Sequence, residues 1–234
     1  MLNTTKKTIL IGLACLTLLG SLLQYLPKPT QELPSSYEGR VIKVIDGDTI
    51  TIKTSKSEKI KVRLAGIDAP ESDQRFGNAS KEKLVSYVAN KNVRVETHKS
   101  DRNGRMLAKV WVQPSDCAAC GKTLNVNHAQ LLAGMAWWYR RYAKEQSEED
   151  RGRYESAEDE SRKRKRGLWS APGPVAPWDW RRGIRGEKDE RCGPKKYCRD
   201  MTNCAEAKLY LNQCGLRALD GDADGIPCES LCRS

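Results

Sequence analysis

The stretch from Val41 to Glu71, VIKVIDGDTITIKTSKSEKIKVRLAGIDAPE, constrains the chain more than any other. Its apolar residues alternate with polar ones in three short runs, a period of two that specifies half-buried strands. Asp46-Gly47 separates the first run from the second, a dipeptide that tolerates the positive φ of a tight hairpin. Ser55 to Glu58 separates the second run from the third, in which Ile60, Val62 and Leu64 share one face. In an antiparallel meander the third strand ends at the edge where the first hairpin turns. Asp46 and Asp48 at that turn therefore lie near Asp68 and Glu71, just past the third strand. Four carboxylates at one strand edge repel one another unless positive charge stands between them. Hard divalent cations with oxygen ligands, Ca²⁺ or Mg²⁺, suit such a set.

The rest of the central region completes a pattern. Ser80 to Asn90 carries Leu84, Val85 and Val88 at helical spacing, and Val93 to Thr97 returns to strand. Asn103-Gly104 marks a second hairpin, leading into a fifth strand from Met106 to Val112. Three strands, a helix and two strands is the order of the five-stranded OB barrel, here a β-barrel plus helices of the α+β class. Val126 to Ala133 reads as a helix closed by Gly134. Ser147 with the acids after it caps a further helix that ends in Arg162-Lys163-Arg164-Lys165-Arg166, charges that suit its dipole. Trp137-Trp138-Tyr139-Arg140-Arg141-Tyr142 interleaves rings with guanidinium groups, as base stacking and phosphate contact require. Core filling explains the two tryptophans equally well.

Charge and cysteine content limit the partners and the compartment. The formal net charge of +11 over 234 residues favours a polyanion, either nucleic acid or an anionic membrane surface. Two histidines are too few for a multi-histidine zinc site or for hydrolysis built on paired imidazoles. Nine cysteines, six of them between Cys192 and Cys232, suggest disulfides and an oxidising compartment. Those six allow fifteen pairings, and the sequence does not choose among them. Cys117 and Cys120 read as a loop disulfide. Near the N-terminus, Lys6-Lys7 precede an apolar run from Ile9 to Leu26. With no Ala-x-Ala site after it, this reads as an uncleaved signal anchor that sends the rest of the chain across the cytoplasmic membrane.

Asp46-Gly47-Asp48-Thr49, then Arg63 with Asp68-x-Pro70-Glu71, then Gly104-Arg105, resembles the staphylococcal nuclease (thermonuclease) family from about Tyr37 to Trp178. The resemblance implies a Ca²⁺ ion held by Asp48, Asp68 and the backbone carbonyl of Ala69. It implies Arg63 and Arg105 as a phosphate clamp, Glu71 as general base or water-orienting group, and Asp46 as a water-mediated neighbour of the ion. Tyr139 or Tyr142 would lie beside a bound nucleotide. Asp220 to Glu229, reading DGDADGIPCE, resembles the excalibur calcium-binding domain, with Asp220, Asp222, Asp224 and Glu229 as ligands. The expected organisation is a signal anchor or signal peptide over 1–27, a linker over 28–36, a nuclease-like domain over 37–178, a linker over 179–190 and a disulfide-rich module over 191–234. The resemblance implies an exported, monomeric, Ca²⁺-dependent endonuclease that cuts DNA and RNA and leaves 3′-phosphates. Two other readings stand beside it: a catalytically silent module that binds single strands, and an envelope scaffold organised by the calcium tail.

Overall fold

A computed structural model describes residues 36–186, 190–222 and 224–233 of the protein, the side chain of His98 excepted. The anchor and proline linker expected before residue 36 lie outside them. Among the described residues no helix is long and apolar enough to cross a membrane. The described chain belongs to one compact unit.

Its centre is a five-stranded barrel built from β1 (Ser36–Val44), β2 (Thr49–Thr54), β3 (Lys59–Leu64), β5 (Asn92–Ser100) and β6 (Met106–Val112). The meander β1–β2–β3 is antiparallel, β5 pairs with β1 and with β6, and a parallel β3–β6 ladder closes the sheet. Alternation explains the closure. Ile50, Ile52, Val62, Val93, Val95, Val110 and Val112 are all sealed from solvent, so each strand gives one face to the interior. Two short strands, β4 (Ile67–Asp68) and β8 (Trp137–Trp138), pair outside the barrel, and β7 (Leu124–Asn125) extends it beside β6.

Helix α1 (Gly77–Val88) covers the barrel with Leu84 and Val88. It starts three residues before the expected Ser80 because Glu71 to Gly77 folds into consecutive tight turns. There the Gln74 and Gly77 amides donate to the Glu71 and Gln74 carbonyls, each at 2.9 Å. No apolar periodicity announces such turns. Helix α2 (Val126–Leu132) ends near Gly134, whose φ of +66° lets the chain reverse. Helix α3 (Glu148–Lys163) starts at Ser147, which accepts a hydrogen bond from the Asp150 amide, as the capping pattern requires. The short α4 (Pro177–Trp180) then leads to the C-terminal module, which contains α5 (Cys204–Asn212) and α6 (Glu229–Cys232).

The C-terminal module has its own small core of Met201, Ala207, Tyr210, Leu219 and Cys228. Three disulfides staple it, Cys192–Cys214, Cys198–Cys228 and Cys204–Cys232, while Cys117–Cys120 closes the loop after β6. It is docked on the barrel domain. The Phe76 amide donates to the Asn212 carbonyl at 2.6 Å, and Asn78 Nδ2 donates to Asn212 Oδ1 at 3.2 Å.

Gly47 corrects one detail of the sequence reading. It is not among the glycines with positive φ, so the hairpin does not need its backbone freedom. It needs the absence of a side chain: a Cβ there would lie 1.9 Å from Ser80 Oγ and 2.8 Å from the Ala69 Cβ. Ser80 cannot easily yield, because its hydroxyl donates to the Met135 carbonyl at 2.6 Å. Gly47→Ala is therefore expected to cost about 2–3 kcal/mol through overpacking, a fall in Tm of roughly 5–10 °C. Differential scanning calorimetry measures it, and an unchanged Tm would contradict the contact.

Candidate active site

Backbone pairing brings the acids of the first turn and of the third strand's exit together. Thr49 lies opposite Arg63, and the Leu64 amide donates to the Asp48 carbonyl at 2.8 Å. Asp48 is buried; its Oδ2 accepts from the Ala69 amide at 2.7 Å and its Oδ1 from the Thr49 hydroxyl at 2.9 Å. Arg63 leaves the end of β3 between two buried carboxylates. One guanidinium nitrogen is ion-paired with Asp48 Oδ1, and Nη2 donates to Asp68 Oδ1 at 2.6 Å. Asp46 Oδ1 accepts from the Asp48 amide at 3.0 Å and so shapes the turn. Burial raises its carboxyl above the usual range, although Arg63, Thr49 and Arg105 pull the other way.

Arg181 was not foreseen at this site. It follows α4, and its Nη2 donates to Asp68 Oδ2 at 2.6 Å while Nη1 reaches Glu71 Oε1 at 2.5 Å. Charges thus alternate along one line: Asp48, Arg63, Asp68, Arg181, Glu71. The sequence places residue 181 inside the expected linker over 179–190. The turn before it is fixed by aromatic packing, with Trp178 stacked on Tyr139 at 5.2 Å between ring centroids and 5.7 Å from Trp137. The only hint in the sequence is Pro177-Trp178-Asp179-Trp180, a start signal with two rings to bury. Glu71 is held from behind as well, since its amide donates to Gln74 Oε1 at 3.1 Å and Gln74 Nε2 donates to the Val175 carbonyl at 2.7 Å.

The remaining expected residues fall at different distances from this line. Arg105 immediately precedes β6 on the neighbouring edge, and its Nε donates to Asp101 Oδ2 at 2.8 Å. Burial works against the Asp101 anion, yet bonds from the Arg105 amide and guanidinium hold its carboxyl below the usual range. Arg105 is therefore tethered to its own hairpin, near enough to Asp46 to influence it. Tyr142 is exposed, packs edge-on to Tyr139 at 5.1 Å and has Lys99 over its ring at 5.9 Å. Trp137 and Trp138 are buried, which settles their role as core rather than stacking platform. Arg162 lies over Trp169 at 3.9 Å and pairs with the buried Glu158 at 3.4 Å, so the first residue of the basic run is structural.

In the C-terminal loop, Asp220, Asp222 and Asp224 each offer an oxygen within 4.8 Å of the others. The Gly225 amide donates to Asp220 Oδ2 at 3.0 Å, and Gly225 has a φ of +92°. Glu229 is not in that group. It opens α6 and pairs with Arg233 at 3.2 Å, and the same arginine holds Asp224 at 2.5 Å.

A closed barrel thus gathers buried acids and arginines at one edge. The chain belongs to the staphylococcal nuclease family and is a thermonuclease-type nuclease. Residues 61–171 match the staphylococcal nuclease homologue family, and residues 195–229 match the Excalibur calcium-binding domain. Protein ParB of Escherichia coli is 39% identical over 152 residues, 65% of this chain and 83% of that protein. The micrococcal nuclease of Shigella flexneri is 38% identical over 151 residues, 64% of this chain and 84% of that protein. An uncharacterized endonuclease of Haemophilus influenzae is 39% identical over 143 residues, 61% of this chain and 72% of that protein.

Proposed function

We propose that the protein is a Ca²⁺-dependent endonuclease that hydrolyses DNA and RNA with little base preference, leaves 3′-phosphates, and works outside the cytoplasm as a monomer. The observation that carries this is the sharing of Arg63 between Asp48 and Asp68, two carboxylates with 2% and 1% exposure. Buried anions this close require positive charge, and guanidinium groups supply it in the protein as it stands. The donors are hard oxygens, so the set fits Ca²⁺. Asp48, Asp68 and the Ala69 carbonyl would hold the ion, with Asp46 next to them. Held there, such an ion would supply polarisation of a phosphoryl oxygen and a position for water.

The protein's own residues do the rest. Released from the carboxylates, the Arg63 fork braces two non-bridging oxygens of the phosphate. Arg105 approaches from the adjacent hairpin and braces the other side. Glu71 accepts the proton of the attacking water, whose oxygen forms the new bond to phosphorus. The P–O5′ bond breaks, the departing 5′ oxygen takes a proton, and phosphate remains on the 3′ side. The exposed ring of Tyr142, with Tyr139 behind it, offers a stacking face for the adjacent nucleoside.

The domain boundaries at 37–178 and 191–234 belong to the same reading, with Asp220, Asp222, Asp224 and Glu229 forming the second calcium site. Four disulfides and the excalibur match favour an oxidising compartment, and the apolar run before residue 27 supplies the tether. Digestion of single- and double-stranded DNA and RNA, titrated with calcium and reversed by chelator, tests the function. Cleavage of all four polymers, with 3′-phosphate ends, is expected at saturating calcium. Binding without cleavage would leave only the silent-module reading. Light scattering checks the monomer.

A further inference from the structure

The calcium loop of the C-terminal module does not face solvent alone. Its Gly225 lies against α1 of the barrel domain, where a Cβ on Gly225 would come 2.2 Å from Glu82 Oε1. Glu82 is fixed in that position. Asn78 Nδ2, one turn earlier on α1, donates to the same Oε1 at 2.9 Å and also to Asn212 Oδ1 of the module at 3.2 Å. Burial pushes the Glu82 carboxyl above its usual range; Asn78 and Lys208 oppose the shift, while Asp220 and Asp224 add to it. Asp220 Oδ1 is buried and has no hydrogen-bond partner among the described residues. The docked arrangement therefore sets Glu82 beside a loop whose three aspartates already crowd one another, and leaves Asp220 Oδ1 unsatisfied. Among the described residues, Lys208 near Glu82 is exposed, and Arg233 is spent on Asp224 and Glu229.

We propose that Glu82, a residue of the nuclease domain, supplies an oxygen to the calcium ion of the C-terminal loop, so that the ion joins the two modules. Ca²⁺ takes six to eight oxygens, more than three aspartates, one turn carbonyl and a single oxygen of Glu229, whose carboxylate is shared with Arg233, provide. Glu82 stands on the open side of the loop, at the one residue whose missing side chain admits it. The ion removes the repulsion that docking creates, and docking supplies the ligand that strengthens the loop. Since α1 follows directly on the turn that carries Glu71, the tail site also steadies the helix beside the catalytic edge.

This inference rests on reading the loop as a calcium site, and the test separates the two. Terbium, a luminescent substitute for calcium, is titrated into the full chain carrying Asp48→Asn, which silences the other site, with and without Glu82→Gln or Asp222→Asn. Glu82→Gln is expected to weaken binding at the tail about tenfold or more, in the range seen when a supporting ligand is lost. It should also raise the number of waters on the ion by one, counted from luminescence lifetimes in H₂O and D₂O. Asp222→Asn should abolish the tail signal. If Asp222→Asn abolishes it while Glu82→Gln leaves affinity and water count unchanged, the loop binds calcium without Glu82 and the inference fails. If Asp222→Asn changes nothing, the calcium reading of the loop fails first. Because Glu82→Gln keeps shape and the Asn78 contact, loss of fold does not mimic the result; far-UV circular dichroism of the variant confirms this.

Discussion

Arg63→Lys is expected to lower kcat by about 10³-fold on every substrate, and added calcium will not restore it. A lysine keeps the charge but presents a point ammonium, whereas the phosphate in flight needs two parallel donors aimed at its oxygens. Arginines that stabilise phosphoryl transfer are worth about 10³–10⁵-fold. The substitution has a second effect, of different origin. Without an ion, Arg63 neutralises Asp48 and Asp68 together, with Nη2 2.6 Å from Asp68. One ammonium cannot satisfy both, so the variant should melt several degrees lower in chelator, and calcium should recover part of that loss. Isothermal titration with calcium separates the two effects. A dissociation constant within a few-fold of the parent, with kcat still depressed, assigns the loss to the phosphate. Activity recovered by excess calcium would move Arg63 from the chemistry to metal binding.

The meeting of acids at one strand edge was legible because antiparallel pairing is a geometric rule. Once Ile50 and Val62 are assigned to facing strands, Asp48 and Asp68 must meet, and the register of Thr49 opposite Arg63 shows that they do. The barrel followed for the same reason: a period of two leaves no choice of inward face. Where the reading stopped, the missing information was three-dimensional contact between distant segments. Gly47 looks like a turn glycine, and nothing local reveals that Ser80 and Ala69 crowd its missing Cβ. Glu82 looks like any acid on a solvated helix face until the C-terminal module is docked on α1. Glu229 sits at a plausible spacing after the loop, and nothing in that spacing reveals that Arg233, four residues on, pairs with it. Trp137 and Trp138 could be weighed only once α3 supplied Glu158, which accepts from the Trp138 amide at 3.0 Å.

Arg181 is the most consequential of these distant contacts, and Arg181→Ala is expected to lower the calcium concentration for half-maximal cleavage roughly 10- to 100-fold. Its guanidinium engages both carboxylate oxygens of Asp68, at 2.6 and 3.4 Å, and reaches Glu71 at 2.5 Å. An ion that takes Asp68 as a ligand has to displace it. Charge-assisted hydrogen bonds are worth about 1.5–3 kcal/mol net each. Arg181 is itself 42% exposed, so solvent screening reduces the whole contact to the order of one such bond. At 1.4 kcal/mol per decade, that gives the stated range. Burial works against the Arg181 cation, yet its hydrogen bonds to Asp68 and Glu71 hold its proton more firmly than usual, so deprotonation offers no route of escape at any working pH. Release has to come by displacement of the guanidinium from the carboxylates. If removing the guanidinium leaves the calcium requirement unchanged and lowers kcat instead, Arg181 belongs with Arg63 as a contact to substrate. A tighter calcium requirement with kcat preserved identifies it as the cation's competitor, placed where the chain leaves the nuclease domain for its calcium-binding tail.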